Sequence, residues 1–205
     1  INHAIEAFRT AAQRALSAGF KVAEIHSAHG YLLHEILSPL SNQRTYHYGG
    51  SFENRVRLLL QVVEVVRNVW PSEYPVFVRL SATDRTPGGW TPEETVKMGA
   101  ILKDKQVDMV NCSSGGNVVT ASIPIKPGYQ VPFSSAVRKT GILTGAVGLI
   151  TSAHQAENIL QQGEADLIIM GREMLRNPYF ALNAAQELQS KTNWPVQYLR
   201  AKPVD

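Results

Sequence analysis

Apolar positions along this chain follow two alternating patterns, one typical of amphipathic helices and the other typical of buried strands. Apolar residues recur every three or four positions from Ala4 to Leu16, and again in the segment that Ser51 opens and Pro71 closes. Between such segments lie short runs that are apolar almost throughout, as in 76–80. Runs of this kind are typical of parallel strands that are covered on both faces.

These patterns predict five strands with helices between them. The predicted strands are 21–26, 76–81, 107–112, 142–144 and 166–170. The predicted helices are 4–18, 32–37, 51–70, 92–105, 133–139, 152–163 and 177–188, and residues 194–205 are expected to be irregular. Strands that alternate with helices form a parallel sheet, so the sequence predicts an α/β fold.

Five such units without a dinucleotide-binding fingerprint indicate either an open sheet or part of a (β/α)8 barrel, the TIM barrel. A complete barrel needs about 250 residues, whereas this chain has 205 residues. In TIM barrels the loops after strands 7 and 8 often form a phosphate site. Glycines follow the last two predicted strands here, and counting back from them makes these five strands 4 to 8 of the barrel.

Composition narrows the class of protein. A hydrophobic fraction of 44% and a charged fraction of 18% suit a globular domain, and the net charge of +3 is spread along the chain. No basic run indicates nucleic acid, and no apolar stretch is long enough to span a bilayer. The lone Cys112 lies in an apolar strand, where we expect an inert thiol in a reducing, cytoplasmic setting. The chain starts in a helical pattern without methionine, so we expect a fragment.

Two histidines and a tyrosine, His26, His29 and Tyr31, stand at the end of the first predicted strand. Two neutral imidazoles can each donate a hydrogen bond to one oxygen atom, and a phenol can give up a proton. A site that polarises a carbonyl or nitro group and then protonates the adjacent carbon needs these groups. The alternatives are a metal-binding pair or two histidines satisfied in the core. Our interpretation assigns no metal.

Glycines and an arginine follow the last two predicted strands. Gly145 and Gly148 follow one strand, and Gly171 and Arg172 follow the next. Glycine lets backbone N–H groups approach an anion closely, and arginine adds a bidentate charge, so the set predicts a phosphate site. The alternative is that these glycines only form tight turns between strand and helix.

Arg79 lies within an otherwise apolar predicted strand, where an unpaired charge is costly. We expect its guanidinium to face a negative partner at the mouth of the fold. The N1–C2 carbonyl edge of a flavin fits, because that edge gains negative charge on reduction. The alternative is an internal ion pair with Asp84 or Asp108.

Together these motifs resemble those of the old yellow enzymes, FMN-dependent ene-reductases built on a TIM barrel. The resemblance extends from about residue 5 to residue 200. The histidine pair and the segment 195–198 are most similar to the thermophilic-like class. The matching segments are 24–32, 37–42, 48–55, 78–81, 144–148 and 171–173.

The resemblance implies roles for individual residues. His26 and His29 match the pair that binds the activating oxygen of the substrate, and Tyr31 matches the donor of a proton to its α-carbon. Arg79 matches the arginine at the pyrimidine edge of the flavin. Arg200 matches an arginine that enters the site of a neighbouring subunit and contacts substrate there. The residues that match the FMN phosphate site are Val147, Gly148, Gly171 and Arg172.

The implied activity is reduction of the C=C bond of α,β-unsaturated carbonyl or nitro compounds, with FMN as cofactor and NADPH or NADH as reductant. Enones and nitroalkenes are the expected substrates, and a homo-oligomer is the expected assembly. Residues 1–205 would form the carboxy-terminal part of a single FMN-binding TIM-barrel domain. The absent strands 1 to 3 would supply further flavin contacts, including those beside N5.

One departure and two alternatives accompany this resemblance. Thr45 is followed by Tyr46 and His47, where the family often has an acidic pair. The first alternative is a different phosphate-binding barrel enzyme, such as an isomerase or aldolase. A catalytic lysine at a strand end would favour it, and none stands there. The chain is alternatively a catalytically incomplete half-barrel that acts as a structural or partner-dependent subunit.

Overall fold

A computed structural model describes residues 1–203, which contain a sheet of five parallel strands. Each strand pairs with the next one along the chain. Doubly wound open sheets reverse their strand order at one point, whereas a barrel keeps the order of the chain, so the barrel alternative is favoured. The strands are β1 (Ala23–Ser27), β2 (Val76–Ser81), β3 (Met109–Ser113), β4 (Leu143–Ala146) and β5 (Leu167–Ile168).

Two of the longer helices begin at capping residues that the sequence indicates. Ser51 accepts a hydrogen bond from the Asn54 amide at the start of α3, and Thr91 and Glu94 form a reciprocal capping box at the start of α4. The helices are α1 (Asn2–Ser17), α2 (Leu32–Leu37), α3 (Phe52–Arg67), α4 (Pro92–Asp104), α5 (Val131–Arg138), α6 (Ala153–Gln161), α7 (Arg172–Arg176) and α8 (Phe180–Glu187), followed by a 3-10 helix at Val196–Ala201.

Side chains of opposite character lie on the two faces of the sheet. Alternate strand residues such as Ile25 and Val78 are buried in the core that the helices cover. Their neighbours point to the opposite face, where His26, Arg79 and Asn111 lie side by side in register. A pleated strand directs successive side chains to opposite faces, so the same strands build an apolar core and a polar inner surface.

Three sequence predictions near the carboxyl end are wrong. The strand expected at 166–170 is limited to Leu167–Ile168, which pair with β4 at the edge of the sheet. The helix expected from Asn177 begins at Phe180, and the unpredicted α7 precedes it. The segment 194–205 contains a 3-10 helix rather than irregular chain, and Val204 and Asp205 lie outside the described residues.

Cys112 lies in β3 and is completely buried, as expected from its apolar neighbours. Burial raises the pKa of its thiol to about 12. The thiolate is the reactive form of cysteine, so the prediction of an inert thiol is confirmed. Within residues 1–203, no helix combines the length and the apolar character that a transmembrane segment requires.

Two turns at the carboxyl ends of β1 and β3 touch through their backbones. A Cβ on Gly30 would lie 2.4 Å from the Gly116 carbonyl oxygen, and a Cβ on Gly116 would lie 2.6 Å from the Cα of His29. Both glycines adopt positive φ, and so does His29, with a φ of 59°. No side chain fits between the two turns, and this fixes how the His29 turn is oriented.

We expect Gly30→Ala to destabilise the protein more than Gly19→Ala. Both glycines have positive φ, but nothing lies within 4 Å of a Cβ at Gly19. Gly19→Ala therefore incurs only the left-handed backbone cost of about 1–2 kcal/mol, whereas Gly30→Ala adds the collision with Gly116. Denaturant unfolding of both variants measures the difference, and equal losses of unfolding free energy would contradict the close contact.

Candidate active site

A cavity of about 310 Å³ lies at the carboxyl ends of the strands, where the loops after β1, β3, β4 and β5 meet. Its volume is at the lower end of the range for small-molecule sites. The cavity therefore brings together the imidazole, guanidinium and glycine-turn groups that the sequence placed at one opening. The predicted site residues that line it are His29, Arg79, Val147, Gly148, Gly171 and Arg172.

His26 and Tyr31, which the sequence places beside His29, adjoin the cavity through contacts between their rings. The His26 ring centroid lies 5.2 Å from that of His29 and 5.2 Å from that of Tyr31. Tyr31 precedes α2 and is 65% exposed, so its phenol is open to molecules that enter from solvent. The three rings form a continuous wall in which His29 is nearest to the cavity.

His29 is held by contacts at its backbone and at its ring. Its amide donates to Ser81 Oγ at 3.0 Å, and the same hydroxyl donates to the Gly115 carbonyl oxygen at 2.7 Å. Its Nε2 lies 2.6 Å from Ser113 Oγ, at the end of β3. When Ser113 donates its single hydroxyl proton to Nε2, the ring proton of His29 is on Nδ1 and is available to a bound oxygen.

Both imidazoles are neutral at neutral pH. Burial and then the positive charge of Arg79 lower the pKa of His29 to about 4. Burial and then Arg79 also lower the pKa of His26. Both rings are only partly buried, which argues against satisfied core histidines. Residues 1–203 contain no group of three or more His, Cys, Asp or Glu arranged to hold a metal ion.

Arg79 brings a charge into the cavity without an ion-pair partner among the described residues. Its Nε is buried and donates to no acceptor among the described residues. The alternative of an internal ion pair is wrong, because Asp84 lies against His34 and Asp108 pairs with Arg67. A buried donor without an acceptor fits a bound group with a negative or carbonyl edge, such as the flavin edge expected from the sequence.

The turns after β4 and β5 form the opposite wall of the cavity. Gly148 has a φ of 124°, and a Cβ there would lie 3.0 Å from the Gln130 amide nitrogen. Nothing lies within 4 Å of a Cβ at Gly171, so this turn is open toward the cavity. Arg176 pairs with Glu173, while Arg172 has no ion pair within the part of the chain that the structure describes. The open turn and the Arg172 guanidinium fit the binding of an anion.

Sequence reasoning missed a hydrogen-bonded group beneath the cavity. Ser113 Oγ lies 3.4 Å from Gln130 Oε1, Ser114 donates to the same amide oxygen at 2.7 Å, and Gln130 Nε2 donates to the Val147 carbonyl oxygen at 3.1 Å. This chain of contacts joins His29 to the turn after β4. The serine and glycine run after β3 was a usable signal for it, but nothing in the sequence indicated Gln130.

Arg200 lies in the 3-10 helix, is exposed and does not line the cavity of its own chain. A role in the site of a neighbouring subunit requires a second chain, so that role stays a prediction. The assigned roles of the cavity residues also stay predictions, although the structure brings the residues together.

We expect the imidazole of His29 to titrate near pH 4. An unfolded histidine titrates near 6.5, so the unfolded chain binds more protons between these values, and the unfolding free energy falls as pH decreases through that window. An NMR titration of the ring measures the pKa directly. The unfolding free energy of His29→Gln should fall less than that of the wild type over the same pH interval. A titration midpoint of His29 near pH 6.5 would contradict the desolvated environment.

Comparisons with known proteins agree with this arrangement. The chain matches the model of the NADH:flavin oxidoreductase / NADH oxidase family over residues 1–191. It is 53% identical over 201 residues to NADPH dehydrogenase of Geobacillus thermodenitrificans, a match that covers 98% of this chain and 58% of the relative. The chain thus spans less than three-fifths of the length of that curated relative.

Solved structures show the same fold. An old yellow enzyme homologue from Zymomonas mobilis superimposes with a TM-score of 0.74 at 28% identity, covering 96% of this chain and 54% of that protein. A 2-naphthoyl-CoA reductase in complex with 2-naphthoyl-CoA superimposes with a TM-score of 0.84 at 26% identity, covering 91% of this chain and 29% of that protein. The expected partial TIM barrel and the resemblance to old yellow enzymes are confirmed.

The expectation of a flavin and a nicotinamide nucleotide is confirmed at the level of the family, whose description contains both. The finer assignment to the thermophilic-like class stays a prediction. From its matched residues and its fold, this chain belongs to the NADH:flavin oxidoreductase / NADH oxidase family, and it supplies five strands of that family's barrel.

Proposed function

We propose that the protein containing this chain binds FMN in the cavity and uses NADPH or NADH to reduce the C=C bond of enones or nitroalkenes. The observation that carries the proposal is the shared cavity, which is lined by His29, by the unpartnered Arg79 and by the turns at Gly148 and Gly171. Arg79 would bind the pyrimidine edge of the flavin. The two turns and Arg172 would bind its phosphate.

FMN, when bound, accepts hydride from the nicotinamide nucleotide and supplies hydride to the β-carbon of the substrate. His26 and His29 are neutral, so each can donate one hydrogen bond to the carbonyl or nitro oxygen of the substrate. Negative charge accumulates on that oxygen as the double bond is reduced, and these hydrogen bonds strengthen accordingly. A single donor of this kind contributes about 3 kcal/mol in comparable oxyanion sites.

Tyr31 completes the reaction by donating its phenolic proton to the α-carbon. Hydride at one carbon and a proton at the other convert the double bond into a single bond, and the overall reduction consumes one NAD(P)H. The phenol recovers its proton from solvent, to which the exposed side chain has access. Homo-oligomerisation, a cytoplasmic location and a role of Arg200 across a subunit interface remain further proposals.

We expect the complete protein to purify with FMN and to show the visible absorbance of an oxidised flavin. Arg79→Met should weaken FMN binding by on the order of 10- to 100-fold, since a hydrogen bond to a charged group contributes about 1.5–3 kcal/mol. Arg9→Met is the matched control, because Arg9 is paired with Glu6 on α1, outside the cavity.

Fluorescence titration with FMN measures both variants. Equal affinity of the two variants would contradict the role of Arg79. A complete protein that folds but binds no FMN would favour the alternative of a structural or partner-dependent half-barrel.

We expect His26→Ala to lower kcat/KM for an enone far more than it lowers the rate of flavin reduction by NADPH. The lost hydrogen bond would act on charge that develops on the substrate oxygen, which arises only in the second half-reaction. Stopped-flow absorbance measures the two half-reactions separately. Equal losses in both would refute the assigned role of His26.

A further inference from the structure

A buried histidine that the proposed chemistry does not use lies directly behind the histidine turn. His34 is in α2 and has no exposed surface. Its Nδ1 accepts a hydrogen bond from the Gly30 amide at 3.0 Å. Gly30 adjoins His29 and precedes Tyr31, so His34 contacts the backbone between two residues of the proposed active site.

The other ring nitrogen of His34 faces a buried carboxylate. His34 Nε2 lies 2.9 Å from Asp84 Oδ1, and the Asp84 side chain is also inaccessible to solvent. The second oxygen, Asp84 Oδ2, accepts from Ser38 Oγ at 2.5 Å and from the Trp90 amide at 2.8 Å. Burial alone would raise the pKa of Asp84, but the hydrogen bonds from His34, Ser38 and Trp90 outweigh it and lower the pKa.

These contacts require one protonation state of His34. The Gly30 amide is a donor, so Nδ1 must present a lone pair. The carboxylate of Asp84 is an acceptor, so the ring proton must be on Nε2. A neutral imidazole with its proton on Nε2 presents an acceptor to Gly30 and a donor toward Asp84, whereas the other tautomer would place two donors against each other at Gly30 and two acceptors at Asp84.

We propose that His34, oriented by Asp84, is a positioning residue for the active site. By holding the Gly30 amide it stabilises the two successive left-handed residues, His29 and Gly30, whose φ values are 59° and 76°. A non-glycine residue in this conformation is strained and needs support from its surroundings. His34 thereby fixes the direction of the His29 ring. This inference rests on the proposed function, in which the His29 ring binds the substrate oxygen.

The contact is tested first in the unmodified protein. We expect heteronuclear NMR of the complete, FMN-loaded protein to show a scalar coupling between the Gly30 amide nitrogen and His34 Nδ1 across the hydrogen bond. The chemical shifts of the ring nitrogens should correspond to a neutral ring protonated on Nε2. A proton on Nδ1, or absence of the coupling, would overturn the proposal whatever the activity of the protein.

Two variants at this position separate positioning from packing. Asn carries its amide oxygen near the position of Nδ1, and Gln carries its amide nitrogen near the position of Nε2. His34→Asn therefore keeps an acceptor for Gly30 and loses the link to Asp84. His34→Gln keeps a donor for Asp84 and loses the acceptor for Gly30.

We expect His34→Gln to lower the rate of enone reduction by the reduced flavin on the order of 10- to 100-fold, since small displacements of a substrate-binding group have effects of this size. His34→Asn should retain a rate close to that of the wild type. FMN affinity should be similar in both variants, because neither touches the phosphate turns. Melting temperatures report the loss of packing in each.

A loss of rate that is equal in the two variants, or that follows their melting temperatures, would show a structural role only and overturn the proposal. If His34→Gln fails to fold, the NMR measurement on the wild type still shows whether His34 accepts a hydrogen bond from the Gly30 amide. Failure of the proposed function has a different signature, because the wild type itself would then not reduce enones.

Discussion

The direct contact between two backbone turns is the constraint on which the site depends. The turn after β1 and the turn after β3 approach so closely that no side chain fits at Gly30 or Gly116. Ser81, at the end of the strand between them, accepts from the His29 amide and donates to the Gly115 carbonyl oxygen. Three neighbouring strands are thereby joined at their carboxyl ends, and the conformation of His29 follows from how they are joined.

The distribution of charge around these turns suits the proposed chemistry. The cavity contains Arg79 without an ion-pair partner among residues 1–203, and Arg172 stands at its rim. Burial, together with the positive charge of Arg79, lowers the pKa of the nearby imidazoles, so the neutral rings can act as hydrogen-bond donors. The buried carboxylate of Asp84 lies behind the site, where its Oδ1 faces His34 Nε2 and its Oδ2 accepts from Ser38 and from the Trp90 amide.

Much of the fold was predictable because its signals are local. The limits of β2 and of α2 agree with the sequence prediction, since a buried strand and a short amphipathic turn each have a clear apolar pattern. The capping box at Thr91 places the start of α4 for the same reason. Predictions were poorest near the carboxyl end. There β5 is short, and Asn177 and Pro178 lie between α7 and α8.

The sequence by itself determined the alternation of strands and helices, the residue types at the mouth of the fold and the glycines that follow the last two strands. These depend on spacing and backbone chemistry within a few residues. Only the tertiary structure decided that His29 meets Ser113, 84 residues away along the chain, and that His34 meets Asp84. Contacts between distant residues follow from how strands pair and helices pack, and no local pattern of apolar and polar residues encodes which side chains then face each other.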